Sequence, residues 1–128
     1  MVLGLGIDII EIVRIKQSIE TYGDKFLNKI FTKNEIEYSI TKPNQYQHFA
    51  ARFAAKEAIY KALSSDTNQV YSWQDVEIYN DKNGLPKVKF YGALKNYLNE
   101  NKQIKISMSH SEHYVTCVAI LYQSQSGS

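Results

Sequence analysis

Two carboxylates stand where carboxylates are costly. Asp8 falls inside the apolar run of residues 2–10, and Glu57 follows Phe49 and Phe53 at one-turn spacing in a stretch free of glycine and proline. A carboxylate among leucine and isoleucine side chains costs free energy unless it is paired, hydrated or bound to a cation. Two that meet in space could hold magnesium, which takes a few carboxylates together with phosphate oxygens and water. Each also has an ordinary structural reading. Asp8 would end its strand and cap the helix that follows. Glu57 would pair with Lys61 one turn on, for about 0.2–0.5 kcal/mol. Spacing alone does not choose between them.

Arg52, Lys56 and Lys61 surround Glu57 on the same stretch. Such a set binds phosphates or forms a solvated helix face. His110 sits in Ser107-Met108-Ser109-His110-Ser111, and neither it nor His113 has a third partner for a zinc site. There is no phosphate-binding P-loop, and Gly4-Leu5-Gly6 lacks the third glycine of a dinucleotide fingerprint. No nucleophile elbow occurs. A single cysteine, Cys117, excludes an internal disulfide and a cysteine-cluster metal site.

These groups need elements to hold them. Leu3, Leu5, Ile7 and Ile9 alternate along residues 2–10, predicting a strand with Gly4, Gly6 and Asp8 on its other face. Two residues without side chains beside a carboxylate leave room for a close approach to the backbone. Ile12, Ile15 and Ile19 predict a helix stopped by Gly23, and Phe26, Leu27, Ile30 and Phe31 a second short one. Thr32 to Glu35 has the form of a capping box that opens a third helix through Ile40. Pro43 breaks it. Residues 45–63, with Ala50, Ala51, Ala54, Ala55, Ala58 and Ala62, predict a long helix.

Residues 64–72 read as a polar loop. Val76 and Ile78, then Val88 and Phe90, flank Asp81-Lys82-Asn83-Gly84, a hairpin signal with Pro86 at a strand start or edge. Residues 91–101 predict a short helix with Ala93, Leu94, Tyr97 and Leu98 on one side. Residues 104–109 and 114–121 predict two final strands joined around Ser111 and Glu112. The second is apolar on both faces, so it must be central or covered. The order implies an α+β domain with a mostly antiparallel sheet. One domain is expected over residues 1–122, followed by a frayed tail at 123–128.

The bulk numbers set the class. The 128 residues fit one domain, and 44% hydrophobic with 22% charged residues is ordinary for a soluble globular protein. No run approaches the roughly 18 apolar residues of a membrane span, and the apolar start lacks a basic leader. The expected location is the cytoplasm. A net charge of +2 is too small to argue for nucleic acid, and the ten tyrosines are scattered.

Four stretches then combine: Gly4-Leu5-Gly6-Ile7-Asp8-Ile9 with Arg14, Arg52-Phe53-Ala54-Ala55-Lys56-Glu57-Ala58, Asn83-Gly84 with Pro86, and Ser109-His110-Ser111. In this order and spacing the chain closely resembles the holo-acyl-carrier-protein synthases, the small bacterial branch of the phosphopantetheinyl transferases. The resemblance runs from Val2 to about Leu121. It implies transfer of phosphopantetheine from coenzyme A to a serine of an acyl carrier protein, in fatty acid biosynthesis. It implies that Asp8 and Glu57 bind magnesium with coenzyme A phosphate oxygens, and that Lys61 contacts the diphosphate. Arg52, Asn83, Gly84, Pro86 and His110 would help form the coenzyme A pocket, with Arg14 facing the carrier protein. The implied fold is an α+β sheet against a long helix, assembled as a homotrimer with sites between subunits.

Arg14 and Arg52 are the only arginines, fewer than the family often carries around its first helix. Lysine makes poorer bidentate carboxylate contacts, so which residues dock the carrier stays open. Two rivals fit less well. A non-catalytic coenzyme A or carrier-protein binding module needs no metal pair. A nucleic-acid binder would find the carboxylates repelling its phosphates.

Overall fold

The local signals become the joints of the fold. The computed structural model describes residues 1–99 and 101–124. The chain begins with β1 (Val2–Glu11), followed by α1 (Ile12–Tyr22), α2 (Asp24–Ile30), α3 (Lys33–Ile40) and α4 (Gln45–Ser64). A 3-10 turn (Trp73–Asp75) leads into β2 (Val76–Asn80), β3 (Pro86–Phe90), α5 (Gly92–Leu98), β4 (Lys102–His110) and β5 (Tyr114–Gln123). Of the tail expected to fray, residues 125–128 lie outside the described residues, as does residue 100 of the stretch expected to form the fifth helix.

Gly23 takes φ +56° and its N–H donates to Ile19 O at 2.7 Å, which ends α1. The capping box at α3 forms in both directions: the Glu35 N–H donates to Thr32 Oγ1 at 3.2 Å, and the Thr32 N–H to Glu35 Oε1 at 2.9 Å. At the hairpin tip Gly84 takes φ +82°, and Asp81 Oδ1 accepts from the Asn83 and Leu85 N–H groups.

All strand pairs are antiparallel, but they form two sheets instead of the one expected. The larger has the order β1-β5-β4, with the doubly apolar β5 in the centre; β2 and β3 form a separate pair. Side chains, not a strand, occupy other polar groups of β2: Glu35 Oε2 accepts from the Ile78 N–H at 2.8 Å, and the Val76 carbonyl accepts from Lys56 Nζ at 2.6 Å.

The 20-residue α4 lies across β1 and β5, with α1, α3 and β2 against its other sides. Phe49, Ala54, Ala58, Ile59 and Ala62 are fully buried along it. A helix apolar on most sides belongs in the middle of a fold. What approaches the glycine face of β1 is this helix. A Cβ at Gly6 would stand 1.8 Å from the Ala58 carbonyl oxygen, and one at Gly4 2.1 Å from that of Ala62.

The contact is main chain on main chain, so no side chain can yield. Gly6→Ala is expected to cost at least about 3 kcal/mol, read as a fall of roughly 10 °C in Tm by circular dichroism. A Tm within about 2 °C of the parent would show that α4 is not seated this closely.

Seating the glycine face inward turns the apolar face outward. Leu5, Ile7 and Ile9 are 62%, 66% and 66% exposed.

Candidate active site

Asp8 is the next residue after Gly4 and Gly6 on the inward face of β1, so the seat that holds α4 also delivers Asp8 to it. Lys61 Nζ donates to Asp8 Oδ1 at 3.1 Å and to the Ile7 carbonyl at 3.0 Å. Glu57, one turn before Lys61, is half-buried and close enough to feel both charges. Burial pushes its carboxyl pKa up, the Asp8 charge pushes it further, and Lys61 pulls it partly back. These three residues therefore share one electrostatic site.

Both structural alternatives fail. The N-cap of α1 is Glu11, without a side-chain cap bond, so Asp8 caps nothing. Lys61 pairs across to β1, and no Glu57–Lys61 ion pair occurs among the described residues.

Two carboxyl groups share one ammonium here, and of the two Lys61 reaches only Asp8. Among the described residues no three His, Cys, Asp or Glu groups gather as a metal cluster. Two carboxylates alone suit a hard dication that completes its shell with phosphate and water oxygens, as magnesium does. Cys117 pairs with Asp8 across the sheet and is buried; burial and then the Asp8 charge push its thiol up to about 12. Such a thiol is no nucleophile at neutral pH.

The cations of α4 have separate fates. Lys56, grouped with Arg52 and Lys61 as a phosphate binder or a solvated face, is neither: its side chain is fully buried, 2.8 Å from Glu35 Oε1. Arg52 is only 2% exposed. Its Nη2 donates to Asn80 Oδ1 at 2.9 Å, its guanidinium lies 4.6 Å from the Tyr38 ring centroid, and its buried Nε has no partner. Among the described residues no carboxylate makes an ion pair with it. Arg52 forms a wall of a groove of about 570 Å³ with Tyr38, Asn80 and Lys89.

Asn80 joins this group to the hairpin, since its Nδ2 donates to the Gly84 carbonyl at 3.2 Å, and it pairs with Pro86. Asn83 and Gly84 form the exposed tip. His110 ends β4 beside Ile9, Tyr114 and Thr116. His48 has its pKa lowered by burial, then by Arg52, Lys42 and His110. A second, cation-rich cluster thus gathers around Arg52, with Tyr38, Lys42, His48 and Asn80. Tyr38, Lys42, His48 and Asn80 were not singled out from the sequence; only the i,i+4 spacing of His48 and Arg52 hinted at any of them. Arg14 lies on exposed α1, its Nε 3.4 Å from Glu11 Oε1.

Known proteins share this fold. The family model of the 4'-phosphopantetheinyl transferase superfamily matches residues 4–119. The holo-[acyl-carrier-protein] synthase of Protochlamydia amoebophila is 48% identical over 120 residues, covering 94% of this chain and 98% of that protein. The crystal structure of the synthase from Neisseria meningitidis superposes with a TM-score of 0.86 at 29% identity, covering 96% of this chain and all (100%) of that one. The Bacillus anthracis synthase, solved in complex with CoA (3',5'-ADP), superposes with a TM-score of 0.79 at 32% identity, over 97% of this chain and 99% of that one. With a family match over nearly its whole length and relatives of this similarity, the chain belongs to the 4'-phosphopantetheinyl transferase superfamily.

Proposed function

We propose that this chain is a holo-acyl-carrier-protein synthase. It moves 4'-phosphopantetheine from coenzyme A to a serine of apo-acyl carrier protein and releases adenosine 3',5'-bisphosphate. The observation that carries this is the meeting of Asp8, Glu57 and Lys61 at the end of the glycine seat. Relatives named for the reaction, and one solved with coenzyme A, support it.

Asp8 and Glu57 are the residues that would hold magnesium, and the ion when bound would neutralise charge on the diphosphate. The serine oxygen bonds to the phosphorus bearing pantetheine, the bond from that phosphorus to the departing adenosine 3',5'-bisphosphate breaks, and the hydroxyl proton passes to a carboxylate or to water. Phosphoryl transfer of this kind needs positioning and charge neutralisation more than covalent help. Lys61 supplies one positive charge beside the breaking bond. Arg52, buried without a counter-ion, supplies another for the nucleotide end, with Asn83, Gly84, Pro86 and His110 shaping the pocket. Arg14 faces the acidic carrier protein.

The active form is a homotrimer with sites between subunits. One feature supports this reading: the exposed Leu5, Ile7 and Ile9 face needs a cover. A heterologous contact that closes into a ring would join one cluster to the other on its neighbour. The transferase unit is residues 1–122, and it works in cytoplasmic fatty acid biosynthesis. No helix among the described residues is long and apolar enough to cross a membrane.

The direct experiment incubates the protein with coenzyme A, magnesium and a cognate apo-carrier, then weighs the carrier by mass spectrometry. One added phosphopantetheine is expected. An unchanged mass with folded protein ends this reading and leaves a non-catalytic binding module.

A further inference from the structure

Lys61 holds the oxygen that a metal needs. Its ammonium is 3.1 Å from Asp8 Oδ1, and it is fixed there by a second bond, 3.0 Å to the Ile7 carbonyl. The Asp8 side chain is only 15% exposed, so the carboxylate has few water partners and Lys61 is its one side-chain partner among the described residues. The Lys61 side chain is 52% exposed, so it has room to swing away. Glu57 stands one turn before Lys61 and competes for neither of its bonds. A dication bound by Asp8 and Glu57 would meet the Lys61 ammonium at the same carboxylate, and like charges that close repel.

We propose that Lys61 competes with the divalent cation for Asp8, and that the coenzyme A diphosphate relieves this competition by drawing the ammonium onto itself. The inference rests on the function proposed above and adds a regulation to that site: metal and coenzyme A load cooperatively, with Lys61 adding to the coupling that phosphate oxygens shared with the ion would give. Coupling of this kind is reciprocal, so each ligand strengthens the other by one common factor. The free protein then carries little metal, and the site becomes fully charged only when the substrate to be cleaved is present.

The test measures manganese(II) binding by the loss of its free electron paramagnetic resonance signal, with and without coenzyme A. The proteins are the wild type, Lys61→Met, Lys61→Arg and Asp8→Asn. In the wild type coenzyme A should tighten manganese binding by about tenfold or more. Lys61→Met keeps the aliphatic stem and removes the charge. It should bind manganese more tightly than the wild type without coenzyme A, and its gain on adding coenzyme A should be several-fold smaller than the wild type's, the remainder being what phosphate oxygens supply to the ion. Lys61→Arg should bind the free ion as weakly as the wild type. Because Lys61 is half exposed, the substitution threatens the fold little, and circular dichroism checks this.

Equal or weaker manganese binding by Lys61→Met without coenzyme A overturns the competition while the metal pair stands, provided Asp8→Asn loses binding. If no protein binds manganese even with coenzyme A, the metal pair and the competition fall together.

Discussion

Glu57→Ala is expected to lower phosphopantetheine transfer at least about a hundredfold, the scale of losing one charge-stabilising group from a reacting centre. The reason is positional. Glu57 and Asp8 approach from different elements, α4 and β1, and a single remaining carboxylate cannot grip a dication from two sides. The fold should survive, because Glu57 is half-buried and its ionised form is already disfavoured by burial and by Asp8. A carboxyl whose folded pKa is raised gives its stability below the usual carboxylate range and loses it as the pH rises through the folded value. Asp8→Ala should show the same loss of transfer. Rates measured across a magnesium titration, with circular dichroism alongside, test both. Wild-type rates at low magnesium in either variant would remove that residue from the metal site.

Lys56→Met attacks the fold, with an expected loss of about 3–5 kcal/mol. The buried ammonium is 2.8 Å from Glu35 Oε1 and donates to the carbonyls of Ile30 at 3.0 Å, Trp73 at 2.9 Å and Val76 at 2.6 Å. Burial lowers the Lys56 pKa, and the Glu35 charge only partly restores it. The pair is therefore no great source of stability when intact. Broken, it strands a carboxylate that is 1% exposed, and that uncompensated charge is the larger part of the loss. Glu35→Gln added to Lys56→Met should recover about 1 kcal/mol, since it removes the stranded charge while its one amide oxygen keeps only one of the two N–H bonds, from Thr32 and Ile78, that the two carboxylate oxygens accept. Urea unfolding of the two single variants and the double variant gives the cycle. Strictly additive losses would show that Glu35 and Lys56 do not act as a pair.

Much of the architecture was legible because its signals are local. Gly23, the Thr32 and Glu35 box and the Asp81 to Gly84 turn each act within a few residues, and each forms where expected. The central place of β5 followed from its two apolar faces. The fates of Arg52, Lys56 and Lys61 were not legible. Their partners, Asn80, Glu35 and Asp8, lie 28, 21 and 53 positions away, and periodicity carries no such information. Glu35 shows why: its box fixes it at the start of α3, yet the same carboxylate also holds β2 and Lys56. The orientation of β1 was hidden for a similar reason. Its glycines are the inward residues because a helix backbone needs their space, and an apolar alternation usually marks the covered face.

The seat of α4 on β1 has a consequence for how this protein can change. Where side chains set a spacing, any substitution in the core shifts it slightly, and a site built across it must be repaired each time. Here the carbonyls of Ala58 and Ala62 rest directly over Gly6 and Gly4, so rotamers elsewhere do not set the gap between the elements that carry Asp8 and Glu57. Packing under α2, α3 and α5 can drift, gaining or losing stability, while that gap stays the same. Tolerance in the scaffold and strictness at the site thus become separate properties of one small chain, joined only at two glycines where almost no substitution can be accepted.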